Sequence, residues 1–343
     1  MHSAPQAPAV PDPTAGMLEI IEGFWLSRAV YIVAKLGIAD LLAEEPRTAD
    51  ELAHTTQSHA PSLYRILRAL ASRNIFTEDA AGCFSMTPPA APLLTDARGS
   101  LRAILMTELG EEHYPAWGNL LHTVKTGETA FDHTFRMSPW EFFAQNPENA
   151  RIFDQAMTNI NGIVNTAVLR AYDFSRAKLL VDVAGGQGSL MAALLKANPI
   201  LRGIVLDMPH VIEGTKRLLE GEGISTRCEV LAGDFFKSVP AGGDIYVMKW
   251  IIHDWHDERS IAILKNCRRA IGAQGKLLLI EAVLPPANRH SMAKFFDLNM
   301  LVMTGGRERT TSEFKALFEA AGFSLTRVVP TDSEFSLIEG APV

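Results

Sequence analysis

The sequence predicts an α/β protein in which a doubly wound parallel sheet follows a helical domain with a winged-helix pattern. Apolar residues recur at helical spacing over residues 17–43 and again over residues 48–76. Beyond residue 174, short apolar strands alternate with helical segments. That alternation is typical of a Rossmann-like sheet with helices on both faces.

The composition indicates a globular chain and excludes several classes of function. The 343 residues are 47% hydrophobic, which suffices for two domains with sizeable cores. A net charge of −7 argues against a nucleic-acid partner, because binding to a phosphate backbone needs a basic face. The three cysteines are widely spaced and predict neither disulfides nor a zinc site. No apolar run approaches the ~20 residues that span a bilayer, so we expect no membrane partner and a cytoplasmic location.

The N-terminal part is predicted to hold a leader, a helix pair and a winged helix. Residues 1–16 are rich in proline and alanine, lack the features of a signal peptide, and are interpreted as a disordered leader. Over residues 17–43, Gly37 divides the helical pattern into two packed helices. Two further helices and a hairpin-like segment over residues 48–84 complete the pattern of an all-α winged-helix domain over residues 17–100.

The winged helix allows two interpretations, DNA recognition and dimerisation or packing. Its second helix offers only Arg65 and Arg68 as basic side chains, and the chain is acidic overall. We therefore favour dimerisation or packing, and a DNA-binding regulator is the alternative from another class of function.

The second domain, predicted over residues 101–343, begins with helices and continues as the sheet. The helical segment, residues 101–175, carries aromatic side chains that either line a substrate pocket or fill a core. Five predicted strands follow, at residues 179–183, 203–207, 228–231, 244–249 and 276–281.

A glycine-rich turn after the first of these strands fits a dinucleotide as well as a nucleoside, and two acids after later strands favour the nucleoside. Three glycines lie within residues 185–188, where a bare backbone lets a ligand approach the N-terminus of the next helix. Asp207 ends the second strand about 20 residues further on, where a carboxylate can accept hydrogen bonds from ribose hydroxyls. Asp234 follows the third strand beside Phe235, a pairing that suits the amine and the face of an adenine.

On these residues the chain resembles the S-adenosylmethionine-dependent small-molecule O-methyltransferases, which include plant caffeate-type enzymes and bacterial enzymes of natural-product synthesis. The resemblance covers nearly the whole chain from residue 17. Its most specific segments are residues 181–188, 206–212, 233–236, 249–255 and 305–310. One departure is Ala184, where many members have glycine. A methyl group there is compatible with a negative φ, which we therefore expect.

The resemblance implies S-adenosylmethionine as the cofactor and S-adenosylhomocysteine as its product. Asn161 stands where many members have serine, an exchange that keeps a side chain able to form hydrogen bonds. The residues assigned to this site are Asp182, Gly185, Gly186, Gly188, Asp207, Met208, Asp234, Phe235, Lys249, Met157 and Asn161.

His253 is the predicted general base. It follows the fourth strand, at the carboxyl edge of the sheet where open α/β folds bind their ligands. With an ordinary pKa of about 6.5 the imidazole would be neutral at pH 7 and able to take the proton of a phenol. The resemblance places Glu281 and Glu308 beside it, where a carboxylate orients an imidazole and stabilises its charged form. Asp254 is a further candidate, although it can instead cap the following helix.

We expect no metal in this site, because the sequence shows no tight cluster of histidine, aspartate and glutamate ligands. The acceptor pocket is predicted to include side chains of a late helix, for which core packing is an equally good interpretation. The assigned pocket residues are Trp250, Phe296, Met300 and Met303.

Two further questions concern the reaction and the assembly. A relative that keeps the cofactor but performs hydroxylation, decarboxylation or rearrangement is disfavoured by the intact set of His253, Glu281 and Glu308. An NAD-linked oxidoreductase would need a hydride-transfer site that nothing in the sequence supplies.

The helix pair over residues 17–43 is apolar around much of its circumference, which predicts a second packing partner. By the resemblance, that partner is a second copy of the chain in a homodimer.

Overall fold

The computed structural model describes residues 13–97 and 99–343, so most of the predicted leader lies outside the described residues. The first helix begins at Pro13, which makes residues 13–16 helical. The chain divides into two compact units, one ending at Tyr114 and one spanning Pro115–Val343. This division falls later in the chain than the predicted boundary at residue 100.

The first unit contains the predicted helix pair and winged helix. Gly37 separates the paired helices and adopts a left-handed φ of 66°, which glycine allows without steric cost. A capping box between Thr48 and Glu51 starts the next helix. The elements are α1 (Pro13–Lys35), α2 (Ile38–Glu44), β1 (Arg47–Thr48), α3 (Ala49–Thr56), α4 (Ala60–Ser72), β2 (Phe76–Glu78), β3 (Cys83–Met86), a 3₁₀ helix (Pro88–Leu93) and α5 (Arg102–Glu108).

The first unit contains a small sheet, and its first helix is exposed along its N-terminal half. The three strands form a small antiparallel sheet in the order β1-β3-β2, so the description of this domain as all-α is wrong. The C-terminal half of α1 packs in the core through residues such as Val33 and Ala34, whereas its N-terminal half is exposed. Ile20 is 66% exposed and Trp25 is 65% exposed.

Helices lead the second unit, as the sequence predicts. The first, α6, contains the boundary between the two units. The longest, α10, ends where Tyr172 leaves the helix. The helices are α6 (His113–Gly118), α7 (Leu120–Thr126), α8 (Ala130–Phe135), α9 (Pro139–Gln145) and α10 (Pro147–Ala171).

The sheet of the second unit has seven strands in the order β6-β5-β4-β7-β8-β10-β9. The five strands β4 to β8 are parallel and match the five predicted strands to within one residue at each end. The C-terminal strand β10 pairs antiparallel with β8, and β9 pairs antiparallel with β10 at the edge of the sheet. Both strands were missed in the sequence analysis. The strands are β4 (Leu179–Val183), β5 (Arg202–Asp207), β6 (Cys228–Ala232), β7 (Ile245–Lys249), β8 (Lys276–Ala282), β9 (Phe323–Pro330) and β10 (Phe335–Pro342).

Helices cover both faces of this sheet and bury two apolar clusters, one on each side. The helices are α11 (Ser189–Ala197), α12 (Ile212–Gly221), α13 (Asp257–Ala270), α14 (Ala293–Met303) and α15 (Thr311–Ala321), with 3₁₀ helices at Ser225–Arg227 and Ile252–Asp254. Within the described residues, no helix combines the length and the apolar character needed to cross a membrane.

The parallel register brings the carboxyl ends of the central strands to one edge of the sheet. Val183 of β4 pairs with Leu206 of β5, and Lys249 of β7 pairs with Ile280 of β8. The segments that follow β4, β5, β7 and β8 therefore meet at this edge, which is where open α/β sheets bind ligands.

Candidate active site

The glycine-rich turn between β4 and α11 has no room for side chains at two of its positions. A Cβ on Gly185 would lie 2.7 Å from Oδ2 of Asp182, and a Cβ on Gly188 would lie 2.8 Å from the side chain of Thr215. Gly186 and Gly188 both adopt a positive φ. The turn therefore presents bare backbone in front of α11, as predicted.

Ala184 departs from its expected conformation. Its φ is +59°, so the expectation of a negative φ is wrong. The Ala184 amide donates to the carbonyl of Leu206 at 2.8 Å, and the Gly185 amide, which follows the left-handed residue, donates to the same carbonyl at 3.4 Å. Alanine tolerates that region at a cost of about 1 kcal/mol, which glycine would avoid.

Asp207 lies at the end of β5 with its carboxylate turned back to the glycine turn. Oδ2 accepts the amide of Gly186 at 2.7 Å, and Oδ1 accepts the amide of Met208 at 2.6 Å. Burial raises the pKa of Asp207, and these two amides partly oppose that shift. A carboxylate has about four lone-pair sites, so two are left for donors from a ligand.

A second polar group lies beneath the turn and joins β4, β7 and α10. Asp182 is fully buried, and its Oδ2 has no hydrogen-bond partner among the described residues. Burial raises its pKa, and burial also lowers the pKa of Lys249 nearby. The Lys249 ammonium donates to Asn161, and to Oδ1 of Asn165 at 2.8 Å. An unpaired buried carboxylate oxygen next to a glycine cradle is a feature that a donor on a ligand would satisfy.

Three of the remaining predicted cofactor residues follow strands at the same edge of the sheet, and Met157 lies on α10. Oδ1 of Asp234 accepts the amide of Phe236 at 2.9 Å, which fixes the turn after β6. The ring of Phe235 lies 6.5 Å from that of Trp255, edge to face. Met208 is 43% exposed beside Asp207, and Met157 is half-buried on α10.

His253 is held by a carboxylate on one side of its ring. Nδ1 lies 2.8 Å from Oε1 of Glu308 and 3.7 Å from Oε2 of Glu281. Glu281 is itself anchored, because its Oε1 accepts the amides of Ile251 and Ile252 at 3.1 and 2.8 Å. Nε2 has no hydrogen-bond partner within the described residues and lies 3.8 Å from Oδ1 of Asp254.

The carboxylates around His253 raise its pKa above the ordinary value that the sequence analysis assumed. Burial lowers the pKa of His253, but the charge of Glu281, the hydrogen bond to Glu308 and the charge of Asp254 outweigh burial and raise that pKa to about 10. The expectation of a neutral imidazole at pH 7 is therefore wrong for the ligand-free protein. Burial raises the pKa of Glu281 and that of Asp254, the latter to about 6.

Two further expectations about this cluster need correction. The sequence shows no tight ligand cluster, yet ligand atoms of His253, Glu281 and Glu308 lie within 4.8 Å of one another. Within residues 13–97 and 99–343 this is the cluster that could hold a cation, although the 2.8 Å contact between Nδ1 and Oε1 has the length of a charge-assisted hydrogen bond. Asp254 does not cap the next helix, because His256 is the N-cap of α13.

The assigned pocket residues have different environments. Trp250 adopts a φ of +57°, and its ring lies 5.0 Å from that of Phe335, which also stacks on Phe296 at 5.8 Å. Met300 is half-buried on α14. Met303 is only 4% exposed and packs in a helical core cluster, so the structure favours core packing for it.

Sequence reasoning missed three residues that support the site. Asn165 lies one helical turn after Asn161, a spacing that would have placed both on one face of α10. Gly306 lies against the carbonyl oxygen of His253, where a Cβ would collide with it. Arg309 is fully buried and donates to carbonyls on both sides of His253. It lies in the segment 305–310 that carries the resemblance, but the sequence analysis gave it no role.

Comparison with known families gives two matches that together cover most of the chain. Residues 18–96 match the O-methyltransferase dimerisation domain. Residues 117–324 match the O-methyltransferase domain, and this stretch includes every residue assigned to the site.

Individual relatives cover nearly the full length. The phenazine O-methyltransferase PhzM of Lysobacter antibioticus is 46% identical over 95% of this chain and 96% of its own. The crystal structure of the O-methyltransferase NcsB1 from neocarzinostatin biosynthesis, with S-adenosylmethionine and 2-hydroxy-5-methyl naphthoic acid, has a TM-score of 0.83 at 34% identity and covers 92% of this chain and 96% of its own. A phenazine-1-carboxylate N-methyltransferase of Pseudomonas aeruginosa is 31% identical over 95% of this chain and 96% of its own.

Proposed function

This chain belongs to the S-adenosylmethionine-dependent O-methyltransferases of small-molecule secondary metabolism, and we propose that it methylates a phenolic hydroxyl on a polycyclic aromatic acceptor with His253 as general base. The observation that carries the role of His253 is the 2.8 Å contact of Nδ1 with Glu308, which leaves Nε2 as the ring nitrogen available to an acceptor. The acceptor class is inferred from the 46% identity to a phenazine O-methyltransferase.

The residues at the carboxyl edge of the sheet fit S-adenosylmethionine. Asp207 keeps lone pairs for ribose hydroxyls, and the unsatisfied oxygen of Asp182 can accept from the ammonium of the methionine moiety. The bare backbone of residues 185–188 gives the ligand close approach. When bound, the cofactor supplies an electrophilic methyl group on a sulfonium centre.

The histidine cluster moves one proton. Nε2 of His253 takes the hydroxyl proton of the acceptor, and Glu308 and Glu281 stabilise the resulting imidazolium. The carboxylates that raise the pKa of His253 bring it closer to that of a phenol, ~10, which makes proton transfer from the acceptor less unfavourable than transfer to an ordinary imidazole. Correct positioning of the acceptor and the base supplies the rest of the rate enhancement. No step in this scheme uses a metal.

Product analysis tests the reaction. The protein is incubated with S-adenosylmethionine and a monohydroxyphenazine or 1,4-dihydroxy-2-naphthoic acid, in the presence of a chelator. We expect a product heavier by one methylene, with the new methyl group on oxygen by NMR. Methylation of a phenazine ring nitrogen instead would contradict the proposed acceptor atom, and loss of activity on chelation would contradict the metal-free scheme.

The rate should rise with pH because of the raised pKa of His253. Below about pH 10 the imidazole is mostly protonated in the free protein and cannot take a proton, so kcat/KM should increase up to that pH. Replacing Glu281 with Gln removes the charge that does most to raise this pKa, and the rising limb should move to lower pH. Glu339→Gln, at a buried carboxylate in the β9-β10 hairpin, is the control. Coincident profiles of wild type and Glu281→Gln would contradict the assignment.

The chain is also proposed to act as a homodimer. The match to a dimerisation domain over residues 18–96 supports this, as does the exposed apolar N-terminal half of α1. Light scattering should give about twice the 37.5 kDa mass of one chain. A double change of Ile20 and Trp25 to Glu should shift the mass toward that of one chain, whereas Glu19→Gln on the same helix should not. A wild-type mass of one chain at micromolar concentration would overturn the proposal.

A further inference from the structure

We propose that Arg309 is a positioning residue for methyl transfer, because it fixes the backbone that carries His253 and thereby the direction of the imidazole. The inference rests on the proposed role of His253 as general base. Arg309 is fully buried, which is uncommon for an arginine and requires that its donors be paired.

The guanidinium of Arg309 holds the chain on both sides of His253. Nη1 donates to the carbonyl of Ile252 at 3.0 Å, and Nη2 donates to the carbonyl of Trp255 at 2.8 Å. Asp257 at the start of α13 accepts from Nε at 3.0 Å and from Nη2 at 2.8 Å. A planar fork with five N–H donors makes these hydrogen bonds together, which a lysine ammonium cannot do.

The backbone around His253 needs such support. Ile252–Asp254 form only one 3₁₀ turn, so its carbonyls lack the regular partners of an α-helix. Ile252 also accepts from the Trp255 amide at 3.3 Å and from Ser260 Oγ at 3.4 Å, and Trp255 accepts from Ser260 Oγ at 3.1 Å. The hydrogen bonds from Arg309 are the shorter ones at both carbonyls, so its fork is the main anchor of this turn.

One short segment thus controls both the ring and the backbone of the histidine. Glu308 contacts Nδ1, and the amide of Arg307 donates to the carbonyl of His253 at 2.8 Å. The segment is tied to the end of β8 by the bridge between Arg309 and Val283 and by the Leu284 amide, which donates to the Arg309 carbonyl at 2.9 Å. Loss of the fork should therefore displace Nε2 without removing any group that touches the acceptor.

The first test is Arg309→Lys, which keeps the charge and removes the fork. A displacement of about 1 Å at a reacting group costs about a hundredfold, so kcat on a monohydroxyphenazine should fall roughly 10- to 100-fold. The KM for S-adenosylmethionine should stay within about threefold, because the hydrogen bonds that this change removes lie beside the base. Asp257→Ala is a second variant that removes the exposed anchor of the guanidinium together with the 3.9 Å ion pair to Arg307, and kcat should fall several-fold in a protein that still folds.

Arg227→Lys is the matched control for a general weakening of arginine–carbonyl hydrogen bonds. Arg227 donates to four backbone carbonyls around the C-terminal end of α11, away from the glycine turn, at 2.8 to 3.2 Å. Its replacement should lower the melting temperature and leave kcat near that of the wild type. An equal loss of kcat in this variant would assign the effect of Arg309 to stability alone and overturn the proposal.

A double-mutant cycle separates positioning from other roles. If Arg309 acts through the base, Arg309→Lys should cost nothing further in kcat when His253 is already alanine. The same fold-loss in both backgrounds would show that Arg309 acts independently of His253, against the proposal. If His253→Ala alone kept the wild-type rate, the proposed function would fail, and that result comes from the single variant, whatever the behaviour of Arg309.

Discussion

Replacing His253 with alanine should lower kcat about 10²- to 10⁴-fold on a monohydroxyphenazine, the typical value of a general base. The physical reason is that Glu308 occupies Nδ1, so Nε2 is the atom that can receive the acceptor proton. The dissociation constant for S-adenosylmethionine should change little, because His253 is assigned to the acceptor and none of the side chains assigned to the cofactor is altered. Single-turnover rates and calorimetry measure the two quantities separately.

Two comparisons sharpen this test. His256→Asn replaces a neighbouring exposed histidine with a residue that keeps its role as N-cap of α13, and activity should be retained. A nitrophenol acceptor that is already ionised at neutral pH needs no base, so the penalty of His253→Ala should shrink for it. A wild-type rate on an ordinary phenol would remove His253 from the chemistry.

The elements of the fold that were predicted correctly are those marked by a pattern of neighbouring residues in the sequence. The five parallel strands are short apolar runs bounded by turns. The break between α1 and α2 falls at Gly37, because glycine readily adopts the positive φ found there. The hairpin of β9 and β10 was missed although the segment between them, residues 331–334, is polar and turn-like. The strand β9 is only partly buried. The hairpin therefore lacks the continuous apolar runs that marked the buried parallel strands.

The parts that sequence could not predict depend on distances between segments far apart in the chain. The pKa of His253 is raised by Glu281 of β8, at 3.7 Å from Nδ1, and by Glu308, at 2.8 Å from the same atom. The same folding creates the ligand cluster that spacing in the sequence did not show. Ala184 has a positive φ, against the preference of alanine, in a turn whose amides at 184 and 185 both donate to the carbonyl of Leu206 in β5.

Asp207→Ala should weaken binding of S-adenosylmethionine by about 3 kcal/mol, roughly a hundredfold in dissociation constant. Two effects combine in this value. The ligand loses the acceptor for its ribose hydroxyls, and the turn loses the carboxylate that holds the amides of Gly186 and Met208 at 2.7 and 2.6 Å. Calorimetric titration of the ligand-free protein measures the change, and kcat at saturating cofactor should fall much less than affinity.

Asp244→Ala separates these two effects. Asp244 also accepts two backbone amides with its carboxylate, those of Lys178 and Leu179 at 2.7 and 3.0 Å, but it precedes β7 and binds the opposite end of β4 from the glycine turn. Each variant removes the acceptor of two backbone amides, and the free energy of unfolding should fall by a comparable amount, about 1 to 3 kcal/mol. Only Asp207→Ala should lose cofactor affinity. Unchanged affinity in Asp207→Ala, or an equal loss in Asp244→Ala, would show that Asp207 supports the strand ends and does not bind the ribose.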